Sequence, residues 1–299
     1  MTEKDKILYS INIHDEKENL DFFKHYNEAI CNLITQITEK LAEAKTQIKK
    51  HEDYYETHYF KFVLQSLTLR HLFDGTPLKL IKPGHSYIDI SSIYSLTRSL
   101  MESFLTINYL YYNPKSEDQA NFRYLLYIAS GLNSRQKFPV NSEASKKKQE
   151  AERQEIEAIL SEIKENKHFS TIHPDKQKHI FGKMLAYEIG MKEVIDESGL
   201  DKGIFHTLWS LYSNYSHSEQ LEAMQLREYI KDTKGYSGTI FGTYRISFML
   251  ICFQIIKLTE RFELAKEIFD SQSLDIKTII EFYNSIILGL KLEKHDSAS

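Results

Sequence analysis

Glycine and proline supply 11 and 5 of the 299 residues, about 5% of the chain against roughly 12% in average proteins. So few chain breakers over this length predict long helices and disfavour sandwiches, barrels and turn-rich sheets. Hydrophobic residues at 41% and charged residues at 27% are enough for a packed core and argue against disorder. The expected fold class is all-α: a helical bundle with a long N-terminal helix and peripheral helices. It is read as one domain over 1–299, with its core in about 54–138 and 174–290. The formal net charge of −4 excludes a broadly basic surface but leaves room for a local basic pocket.

Apolar positions Phe22, Phe23, Tyr26, Ile30, Leu33, Ile34, Ile37 and Leu41 recur at three- and four-residue steps, which predicts one helix over about 15–51. A second helix, about 54–73, stops at Asp74-Gly75-Thr76-Pro77, and a loop over 78–87 follows. A greasy third helix covers about 88–112. Ser116-Glu117-Asp118-Gln119 reads as a capping box that opens a fourth, to about 138. Residues 143–167 carry dense mixed charge and one seam, Ile156, Ile159, Leu160 and Ile163. This predicts a solvated, projecting, mobile helix. Further helices are expected at about 175–187, 202–220, 222–230, 237–262 and 274–290.

Cys31 and Cys252 lie in unrelated apolar segments, and the first 20 residues hold no apolar run of signal-peptide length. The reducing cytoplasm is therefore the expected compartment. The greasiest stretch, Thr239 to Lys257, contains Arg245 and Gln254. It reads as a buried central helix rather than a membrane span. No nucleotide-binding glycine motif and no His-Glu-x-x-His is present, so neither cofactor nor metal is expected.

Two blocks carry candidate chemistry. Arg98 and Glu102, four residues apart on the greasy third helix, share one face with Ser91, Ser95 and Tyr109. Such a pair is either a structural ion pair or part of a polar site. The second block is His206 to Glu219, where Ser213 and His217 stand four apart beside Trp209, the only tryptophan. An imidazole there can act as acid or base near neutral pH, or simply cap the helix end.

The pattern Arg98-x-x-x-Glu102, then Phe122-Arg123-Tyr124 with Tyr127, then Tyr212-Ser213-x-x-x-His217-Ser218, resembles a bacterial helical family catalogued only as a domain of unknown function. The likeness covers about Ile88 to Glu219. It implies that Arg98, Glu102, Ser213 and His217 belong to one site, and it implies no reaction. A looser likeness is to HEPN helical ribonucleases and to abortive-infection proteins. HEPN enzymes cleave RNA through an Arg-x(4–6)-His motif, and no arginine here has a histidine at that spacing.

These readings support a defence or toxin-type effector that cleaves RNA without metal. His217 would be the acid/base, Arg98 the electrostatic stabiliser, Glu102 the residue orienting one of them, and Ser213 a fourth catalytic group. Arg123, Tyr127, Tyr212 and Tyr215 would contact the substrate. The alternative is a non-enzymatic interaction or sensor protein in which the same residues form a buried network. Helices 15–51 and 143–167 would then meet a protein partner. A homodimer is expected in either case, and no membrane.

Overall fold

A computed structural model of the chain describes residues 1–44, 49–77, 86–216, 220–231 and 237–289. The structure is 82% helical, with 14 α-helices and one minimal pair of strands among the described residues. In chain order these are α1 (Glu3–Glu16), α2 (Leu20–Glu43), α3 (Tyr55–Leu72), β1 (Thr76–Pro77), β2 (Ser86–Tyr87) and α4 (Ile90–Ile107). After a π-helical turn at Asn108–Tyr112 come α5 (Glu117–Arg135), α6 (Glu143–Glu165), α7 (Lys167–Thr171), α8 (Pro174–Lys183) and α9 (Met191–Glu197). The chain closes with α10 (Lys202–Ser216), α11 (Gln220–Lys231), α12 (Ser237–Arg261), α13 (Glu263–Asp270) and α14 (Leu274–Ile287).

The chain read as one domain separates into two compact units. The first holds α1 to α3, α4 as far as Phe104, and α10 to α14. The second holds the end of α4, the π turn and α5 to α9.

In the first unit, α12 is the only described helix long and apolar enough to cross a membrane, and 78% of its apolar window is buried within the protein. Phe23 of α2 meets Phe241 and Phe248 of α12 and Tyr283 of α14 edge-on, at 5.0, 5.5 and 5.6 Å. Two polar groups of α12 find partners inside the unit. Gln254 accepts from the Tyr59 hydroxyl at 2.7 Å, and Arg245 pairs with Asp15 at 2.8 Å.

The predicted 15–51 helix is shorter: α2 covers Leu20–Glu43, a separate helix α1 ends at Glu16, and a 3-10 turn stands at Lys50–Glu52. Glu18 takes a left-handed φ of 51°, and Asn19 then caps α2 by accepting from the Phe22 amide at 3.2 Å. Before the break, Thr2 and Asp5 form a reciprocal capping box that starts α1. Gly75 ends α3 with φ 79°, where a Cβ would meet Ser86 Cβ at 3.1 Å and the Tyr87 carbonyl oxygen at 3.2 Å. A side chain there would force β2 away from β1. The Pro83-Gly84 part of the expected loop lies outside the described residues.

In the second unit, α6 does not project. Its predicted seam holds, with Ile156 and Ile163 buried. Ile159, Leu160 and Ile163 pack with Phe122, Leu125 and Leu126 of α5. Gln136 and Gln149 exchange side-chain to carbonyl bonds at 3.2 Å each way. Sequence charge density misled here because only a narrow stripe is needed to dock a helix. The Ser116 cap accepts from the Gln119 amide at 3.2 Å, but the Gln119 side chain reaches back to the Lys115 amide, not the cap's own.

The centre of this unit is a buried guanidinium. Arg123 is 1% exposed. Its Nε donates to Glu188 at 2.6 Å, Nη2 to Glu197 at 2.9 Å and Nη1 to the Tyr109 carbonyl at 3.1 Å. The π turn puts the Tyr109 ring 4.2 Å from the guanidinium carbon. Glu188 also accepts from Gln119 at 2.9 Å and pairs with His168 Nε2 at 2.8 Å. Burial pushes the Glu188 carboxyl up, yet the hydrogen bonds from His168, Arg123 and Gln119 overcome this and hold it below 4.5.

Breaking a buried pair leaves an uncompensated charge and costs about 3–5 kcal/mol. Glu188→Gln is therefore expected to destabilise the protein by about 3 kcal/mol in urea unfolding at pH 7, followed by circular dichroism. Because the folded carboxyl titrates below its unfolded value, its stabilisation is present above about pH 4.5 and lost as pH falls further. Wild type should therefore lose more stability than Glu188→Gln as pH falls below about 4.5. Equal pH dependence in both would contradict the assignment.

Candidate functional site

Arg98 and Glu102 stand one turn apart on α4, and Trp209 and Ser213 one turn apart on α10. Both helices belong to the first unit, and the two pairs meet there. Arg98 Nε donates to Glu102 Oε1 at 3.0 Å. Nη1 donates to the Trp209 carbonyl at 3.4 Å and to Ser213 Oγ. The guanidinium carbon lies 3.4 Å from the centroid of the Trp209 ring. Ser213 Oγ in turn donates to the Trp209 carbonyl at 2.6 Å. No described residue accepts from Arg98 Nη2.

Each contact has a separable role. A half-exposed ion pair contributes about 0–1 kcal/mol, so Glu102, 46% exposed against 14% for Arg98, chiefly orients the guanidinium. The Trp209 face fixes its plane and shields one side from water. Ser213 spends its proton on a carbonyl and its lone pair on Arg98. These two bonds let it position the guanidinium. What remains is a planar cation, held on three sides, whose Nη2 donates to no described acceptor.

The other expected site residues sort differently. Tyr212 and Tyr215 are buried, their rings 5.1 and 4.4 Å from Tyr94. Their hydroxyls are taken by Thr243, at 3.4 Å, and by Gln225. Burial raises the Tyr212 phenol. Both are packed in the core. Arg123, expected to touch phosphate, is instead the saturated ion-pair centre of the second unit. Tyr127 is partly buried on α5, and burial raises its phenol. His217, with Ser218 and Glu219, lies outside the described residues.

Sequence reasoning missed Glu188 and Glu197, 65 and 74 residues from Arg123. The available signal was a lone charge in the small, apolar run Leu185-Ala186-Tyr187-Glu188-Ile189-Gly190. It also missed His168, whose short helix carries no periodicity. Among the described residues no group of three or more His, Cys, Asp or Glu side chains can hold a metal ion. Both cysteines are free and buried, and burial pushes the Cys31 thiol up to about 12.

Trp209 reports on this node directly, being the only tryptophan. Arg98→Met is expected to change its emission while helical dichroism is retained, and Tyr127→Phe to leave it unchanged. Identical spectra for Arg98→Met and wild type would contradict the stack.

A family model described as a family of unknown function, DUF5677, matches residues 84–236, about half of the chain. No curated protein and no solved structure matches. The matched span agrees with the likeness read over about 88–219, and it contains every candidate site residue together with His168, Glu188 and Glu197. The chain belongs to the DUF5677 family, a helical family of unknown function.

Proposed function

We propose that the chain is an effector that recognises a phosphodiester through Arg98, with RNA as the substrate class and a defence or toxin-type role. One observation carries the reading: Arg98, unlike Arg123, is fixed by its neighbours and still keeps a guanidinium nitrogen with no described acceptor. Arg123 donates from Nε, Nη1 and Nη2 to acceptors of its own unit. Arg98 Nη2 meets no described acceptor, while its other nitrogens and one face are held. A guanidinium fixed in this way needs no reorganisation when it meets a developing phosphorane charge. In this reading His217, four residues beyond Ser213, takes the 2′-hydroxyl proton and returns it to the leaving oxygen. Glu102 and Ser213 act through Arg98.

The second reading is a non-enzymatic interaction or sensor protein, acting in the cytoplasm as a homodimer or through a partner helix. It is favoured by the burial of Tyr212, Tyr215 and Arg123, which are core groups whatever the protein does.

Total-RNA integrity after induced expression in bacteria separates the two. Wild type is expected to fragment RNA, while His217→Ala and Arg98→Lys leave it intact with the melting temperature held within about 2 °C. Intact RNA in every case, with soluble folded protein, would overturn the cleavage reading in favour of the interaction protein. Loss of folding in both variants would assign the residues to structure.

A further inference from the structure

The second unit carries a basic strip that nothing above uses. Residues 164–183 hold five lysines and three histidines against two acids, in a chain of net charge −4. Several lysines elsewhere are paired within the chain: Lys4 with Glu281, Lys24 with Asp74, Lys146 with Glu143 and Lys257 with Glu260, all at 2.7–2.8 Å. Within 164–183 no lysine pairs with a described carboxylate, and all five are exposed.

The geometry of α8 aligns part of the strip. Gln177 and Ile180 face inward: the Gln177 amide donates to the Phe169 and Ile172 carbonyls at 2.9 and 2.8 Å, and Ile180 is buried. Lys176, His179 and Lys183, at steps of three and four residues, share one exposed stripe that flanks the inward side of the helix. They span about 10 Å at 1.5 Å per residue. Lys176 and His179 also line a cavity of about 450 Å³ with Tyr187, Glu188, Gly190 and Glu193. Its two acids are already engaged, Glu188 by Arg123, Gln119 and His168, and Glu193 by the Gly190 amide at 3.0 Å. The cavity lining thus includes the Lys176 ammonium, and its buried acid, Glu188, is paired with Arg123, while Glu193 keeps its charge.

We propose that this α8 face binds single-stranded RNA through its phosphates, with Lys176 and Lys183 as the phosphate contacts and His179 and Tyr187 beside them as planar groups for a base. A row of point cations spaced along one helix suits a repeating phosphodiester, and the neighbouring rings suit stacking. The surface stands on its own residues, in the unit that does not contain Arg98, and its test reads binding and not cleavage.

The test is fluorescence anisotropy of the full chain with a labelled 2′-O-methyl uridine 20-mer, which lacks the hydroxyl needed for cleavage, across 50–300 mM potassium chloride. Affinity should fall with salt. Lys176→Ala/Lys183→Ala should flatten the log–log salt slope by about 1.4, two contacts at roughly 0.7 each for a single strand. Lys146→Ala/Lys257→Ala removes the same charge from paired lysines and should leave the slope unchanged. No binding at 50 mM salt would overturn the proposal, as would equal flattening by both double variants. So would polyglutamate competing as well as unlabelled oligomer, or binding to phosphatidylserine vesicles in place of RNA.

Discussion

A guanidinium cannot lose its proton inside a protein, so wherever helical packing takes one out of water the surrounding chain has to supply acceptors. That demand organises the second unit. Arg123 on α5 draws in a carbonyl from the π turn, Glu188 from the segment before α9, and Glu197 from α9 itself. Glu188 then recruits Gln119 and His168, which ties α5 to the short helix α7. Helices as short as α7 and α9 have little stability of their own. Their place in the fold follows from the charge they help to bury.

The first unit answers the same demand incompletely, and its chemistry lies in that incompleteness. Arg98 is flattened against Trp209 and tied to Glu102 and Ser213. Two carboxylates were needed to close Arg123. Arg98 has one, half exposed, and its Nη2 donates to no described acceptor. The helices that carry it also pack Tyr94 against Tyr212 and Tyr215, tilted and edge-on. The cation is held between two packed helices, α4 and α10.

Most of the helical framework was legible because long amphipathic or greasy runs announce themselves: α3, α5, α10, α12 and α14 begin or end within a few residues of their sequence boundaries. What was not legible depended on contacts between distant segments. The break at Glu18 shows no glycine or proline, only an asparagine able to cap. The docking of α6 rests on four residues in a strongly charged helix. The helices α7, α9 and α13 are too short for a period. Arg98, Glu102 and Ser213 could be grouped from their spacing and from family resemblance, and the structure brings them together. The tyrosines at 212 and 215 could not be assigned, since a residue in a helical stripe looks alike whether it faces ligand or core. Arg123 looked like a ligand contact because its two carboxylates lie more than sixty residues away.

The central claim is that Arg98 is an anion-recognition point with an open edge. Titrating wild type with inorganic phosphate at constant ionic strength, and following Trp209 fluorescence, tests it most directly. A saturable change in wild type that is absent in Arg98→Lys, with chloride without effect in both, is the predicted result. A response no different from chloride, or one that survives Arg98→Lys unchanged, would contradict the account.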